Sequence, residues 1–127
     1  MPGRTPSSAL YRVAFLWNLF WGVPLLLAPS LASSALGLPQ PAPGLGELHA
    51  RAGGLAIVLF GWVYLTIGGN PRAFRRFLLI AIVAKAAFFL VVAFVGFFHR
   101  ELLAMLVIAV GDLAFAALFY RDWRAVR

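Results

Sequence analysis

Four apolar runs, residues 10–28, 48–69, 77–98 and 102–120, constrain this chain more than any other feature, because each approaches the length of helix that crosses a bilayer. At 1.5 Å of rise per residue, roughly 20 residues span about 30 Å of hydrocarbon. Apolar residues make up 63% of the 127, and the mean hydropathy is +0.92. A globule this small has too little interior to hide so much hydrocarbon, so lipid is the expected solvent. The expected fold class is all-α: an integral membrane four-helix bundle.

The net charge of +7 raises the question of nucleic acid. The arginines stand at the ends of the apolar runs rather than in one stripe with interleaved aromatics, so no nucleic-acid partner is expected. They report topology instead. Arg4, Arg12, Arg72, Arg75, Arg76, Arg121, Arg124 and Arg127 fall on one side, Arg51 and Arg100 on the other. This bias puts both termini in the cytoplasm, with the chain multi-pass in the cell inner (cytoplasmic) membrane. Residues 1–9 read as a disordered polar tail and residues 121–127 as a basic tail outside the single transmembrane domain. The first run has some features of a secretory signal, but Trp17, Asn18 and Trp21 interrupt its apolar core, which favours a retained helix. There is no cysteine, which excludes disulfides, thiol nucleophiles and thiolate metal sites.

The connections divide the runs into neighbours. Pro24 predicts a kink or loosened turn near the end of the first span. Residues 30–46, rich in proline and glycine but nearly uncharged, read as a strap on the membrane surface, with a lid over a cavity as the alternative. Gly54, Gly61 and Gly68 recur every seven residues and so share one helix face, where another backbone can approach closely. Between the last two runs stand only His99, Arg100 and Glu101, which forces an antiparallel hairpin.

Within that hairpin lie the two residues least suited to lipid. Lys85 is nine residues beyond Arg76, and Asp112 nine before Arg121; each is therefore about 14 Å from the same membrane face. The two are expected to meet as an intramembrane ion pair. An ionised side chain at a helix centre costs about 2.5–3.5 kcal/mol, and each large apolar residue returns about 0.3–0.6. The third run carries Lys85 with a margin, whereas the alanine-rich fourth is close to balance and is expected to insert with the third. The pair is either architecture alone or the mark of a proton path or ligand cavity. Asn18 and Tyr64 reach the same half of the membrane from the other runs, and Trp17 and Trp21 share a face one turn apart. These four are the pocket candidates.

His49 and His99, at the outer ends of the second and third runs, are weak metal candidates, since no ligand-spacing motif accompanies them. No serine–histidine pair, phosphate loop or paired carboxylate is present, so hydrolase and nucleotide chemistry have no support, no catalytic residue is assigned and the cofactor is unknown. Arg51 with Gly54, Gly61 with Tyr64, Pro71 with the arginines after it, Lys85, and Asp112 with Phe115 and Phe119 together give a chain that resembles the small four-helix bacterial membrane proteins of the DoxX-like kind. The resemblance implies a four-helix membrane fold and lends no catalytic residue. Some members are linked to thiol or quinone redox work, which would call for cysteines that this chain lacks.

The functions open to such a chain are a non-enzymatic accessory or scaffold subunit, or a binder of a small lipophilic molecule. An oligomeric proton-coupled or ion-conducting transporter and a membrane enzyme acting on a lipid or quinone are the alternatives. Beyond the lipid bilayer, a membrane-protein partner or a second copy of the chain are the partners it admits. A closed dry core would favour the scaffold, and a laterally open cavity lined by Trp17, Trp21 and phenylalanines would favour ligand binding or enzymology.

Overall fold

The computed structural model describes residues 7–126. The arginine count at Arg4 and Arg127, and most of the expected disordered tail, fall outside them. The described residues form helices only: α1 (Ser8–Leu27), α2 (Pro29–Ala35), α3 (Leu45–Gly69), α4 (Arg75–Phe98), a 3-10 turn (Arg100–Leu102) and α5 (Met105–Ala125). Of these, α1, α3 and α4 are long and apolar enough to cross a membrane. The fifth helix carries Asp112, Arg121, Asp122 and Arg124 along its length and is not among them.

The breaks have local causes. Pro24 lies inside α1, and the helix runs on to Leu27, where Ala28 leaves the helical conformation because the following proline disfavours a helical residue before it. Pro29 then opens α2 at its first turn, where its missing N–H does no harm. The segment expected as an irregular strap is thus partly helical. Arg51 reaches from α3 to the end of α1, donating to the carbonyls of Leu26 (2.8 Å) and Leu27 (3.1 Å), which have no partner within the helix. Glu47, one turn earlier, holds the same guanidinium at 2.7 Å. Between α3 and α4 the side chain of Asn70 accepts the Ala73 N–H at 3.1 Å and closes the turn around Pro71.

Two corrections concern the ends. Ser8 and Ala9, expected to belong to the polar tail, are already helical. The last helix starts at Met105 rather than residue 102 and continues through the expected basic tail to Ala125. It continues because Asp122 and Val126 are buried there against the rest of the bundle, which a solvated tail would not be.

Packing is arranged in two pairs. Helix α1 lies chiefly on α3, and α4 chiefly on α5, with much sparser contact across the pairs. The first pair is close because of the glycine face: a Cβ on Gly54 would stand 2.5 Å from the Leu26 backbone nitrogen, one on Gly61 3.2 Å from Phe15, and one on Gly68 2.6 Å from the Tyr11 side chain. The buried core that joins the two pairs is gathered at the arginine-rich end, where Tyr11, Ala14, Tyr64, Ile67, Leu78, Ala81, Phe119 and Val126 meet. Elsewhere large apolar side chains face outward, among them Phe94, Phe97, Val107 and Leu90. Such a surface needs lipid or another protein to cover it.

Candidate functional site

The expected ion pair is present. Lys85, on the inward face of α4 and only 3% exposed, contacts Asp112 Oδ1 on α5. The same oxygen accepts a hydrogen bond from Trp17 Nε1 on α1 at 3.2 Å. The Lys85 ammonium also points to Asn18 Oδ1 at 3.4 Å, and Asn18 donates its amide to the Ile57 carbonyl of α3 at 2.9 Å. Two rings complete the enclosure, Tyr64 at 5.0 Å and Phe115 at 5.3 Å from Nζ, both placed for cation–π attraction. Four helices therefore converge on one ammonium.

Two glycines make these approaches sterically open. Gly61 leaves room for Asn18 to come within reach of α3. Gly111, next to Asp112, does the same for Trp17, since a Cβ there would overlap the indole ring. Gly111 was not singled out from the sequence, though its place beside the only acid of the last apolar run is a usable signal.

A cavity of about 220 Å³ opens beside the pair, lined by Trp17, Asn18, Trp21, Phe60, Tyr64, Lys85, Phe88 and Asp112 among others. It adjoins a larger cleft of about 840 Å³ with almost wholly apolar walls. Trp21, Ile57, Phe88 and Ile108 line both, so the polar cavity and the apolar cleft lie side by side. The cleft lies between the outer half of α1 and the first turns of α5, with Ala32, Ser33, Ala35 and Leu36 of the α2 segment along its outer edge. Leu16 and Phe20 border it while 60% and 67% exposed, so the cleft opens sideways toward the surroundings of the bundle.

A second polar group, missed in the sequence, sits at the arginine-rich end. Tyr11 donates to Asp122 Oδ2 at 3.3 Å, and Arg121 holds Oδ1 at 3.0 Å. Tyr11 also stacks on Phe119 with centroids 5.2 Å apart, and Arg75 lies over the Trp123 ring at 4.2 Å. Asp122 followed an arginine at the end of an apolar run, a context that reads as solvated.

The histidines do not join either group. His49 is exposed, and His99 pairs at 3.2 Å with Glu101, two residues away. The Glu101 carboxyl is held below its ordinary range, first by its own backbone N–H and then by His99. Among the described residues no three His, Cys, Asp or Glu side chains gather as a metal-binding set. No family model, curated protein or solved structure matches the chain.

Proposed function

We propose that this chain is a four-helix protein of the cytoplasmic membrane, both termini inside, that binds a small lipophilic molecule without transforming it. The observation that carries this reading is the position of the cavity at Lys85 and Asp112 directly beside the apolar cleft, with four side chains lining both. A site of this shape suits an amphiphile, with a compact polar end at the floor and a chain between the helix pairs. The sideways opening suits a ligand that arrives from the bilayer rather than from water. The resemblance to DoxX-like proteins enters only as the expectation of four membrane helices, with α5 held in the membrane by its hairpin with α4 and by the charge partner that α4 supplies.

The test is solvent extraction and mass spectrometry of protein purified gently from membranes. The wild type should carry a lipophile in near-stoichiometric amount. Ile108→Trp fills the shared wall, and Leu16→Trp narrows the exposed mouth; both should reduce the bound amount several-fold in protein that still elutes as a single species. Equal amounts in all three proteins, or none in the wild type, would contradict the reading.

A further inference from the structure

The bonds within the polar floor consume most of its groups, and what remains is an acceptor, Asp112 Oδ2, and a donor, the Trp21 indole N–H, which is buried without a hydrogen-bond partner among the described residues on a side chain lining the same cavity. Lys85 directs its ammonium at two oxygens, Asp112 Oδ1 and Asn18 Oδ1, and at the Tyr64 ring, which accounts for its three donors. One N–H of the Asn18 amide goes to the Ile57 carbonyl, and the Trp17 N–H to Asp112 Oδ1. Asp112 Oδ2 carries no hydrogen bond among the described residues, and the side chain, 15% exposed, forms part of the cavity wall. A carboxylate oxygen in this state is an acceptor that lacks a donor.

Charge narrows the choice further. Lys85 and Asp112 sum to zero, so the floor is already neutral. An anionic head would place a second negative charge beside Asp112 in an apolar enclosure, and a cationic one would bring in a charge with no counter-ion of its own. A head that only accepts hydrogen bonds can meet the Trp21 N–H but leaves Asp112 Oδ2 without a donor. An uncharged hydroxyl meets both conditions.

Building on the lipophile-binding reading above, we infer that the ligand is an uncharged lipid with a free hydroxyl. The hydroxyl donates to Asp112 Oδ2, and the aliphatic chain passes Ile108 and Phe88 into the cleft toward Phe20 and Met105. Hydrogen bonds to charged acceptors are stronger than those between neutral groups, so the hydroxyl should dominate selection among heads of equal chain length.

The experiment titrates the detergent-solubilised full chain with dodecanol, dodecyl methyl ether, dodecanoate and dodecylamine, and reads binding by melting temperature and by tryptophan fluorescence. Dodecanol should bind about tenfold or more tightly than its methyl ether, and the two charged probes should bind more weakly than dodecanol. In the paired variant Lys85→Met with Asp112→Leu, the preference for alcohol over ether should vanish while the ether still binds. If that variant does not fold, the wild-type series alone decides. Ether equal to alcohol, a charged probe binding best, or a preference that survives in the paired variant would each overturn the hydroxyl assignment and leave lipophile binding standing. Failure of all four probes would remove both.

Discussion

The two ends of the molecule solve the same packing problem differently. At the arginine-rich end the helix pairs close on Tyr11, Tyr64, Phe119 and Leu78, with stacked rings and the Tyr11–Asp122 bond crossing between them. At the opposite end the pairs stand apart, and α2 with the outer half of α1 borders an apolar cleft instead of a core. Lys85 and Asp112 lie where the closed half meets the open one. Side-chain hydrogen bonds between the pairs, Tyr11 to Asp122, Trp17 to Asp112 and Lys85 to Asn18, all lie at or inward of this level. The contrast teaches that the bundle is clamped from one side, and that the unclamped half is free to hold something other than protein.

The largest way to break this contrast is to remove one charge from the junction. Lys85→Met or Asp112→Leu leaves the other charge buried without a partner, which should destabilise by about 3–5 kcal/mol. The two changes together should recover most of the loss in melting temperature, short of full recovery because Trp17 and Asn18 each lose a partner. Additive losses in this double-mutant cycle would mean that the pair does not couple the halves.

A smaller effect is expected within the first helix pair. Gly54→Ala forces a methyl group against the backbone of α1, where nothing flexible can yield, at a cost of about 1–3 kcal/mol. Gly69→Ala meets nothing within 4 Å and is the matched control. Equal melting temperatures for the two variants would show that the glycine face is not a tight seam. Smaller again is Tyr11→Phe at the clamped end. It removes the bond to Asp122 but keeps the stack on Phe119, and should lower stability by about 1–2 kcal/mol in thermal denaturation.

Much of the junction was legible in the sequence. Counting from the flanking arginines placed Lys85 and Asp112 at one depth, and rigid helical rise makes such counting reliable over two turns or more. The seven-residue spacing of Gly54, Gly61 and Gly68 marked a close-packing face for the same reason, and that face turns toward α1. What could not be read depends on contacts between residues far apart in the chain. Asp122 looks solvated from its neighbours and is buried only because Tyr11, more than a hundred residues earlier, comes to meet it. The separation of the helix pairs leaves no periodic mark either, since residues lining a cleft and residues facing lipid are equally apolar. The short helix α2 was hidden in proline- and glycine-rich sequence whose composition signals only a turn.

Because the chain has no cysteine, pairs of introduced cysteines can be spin-labelled without background. The most direct test of a bundle clamped at one end and open at the other is to measure two distances by electron–electron double resonance. One pair, Val13→Cys with Tyr120→Cys, reports the clamped end, and the other, Val23→Cys with Val107→Cys, reports the cleft; all four positions are exposed. The clamped pair should give a narrow distribution that a long-chain alcohol leaves unchanged, and the cleft pair a broader one that the alcohol narrows. Two narrow distributions, neither moved by the alcohol, would contradict the open cleft and the function built on it.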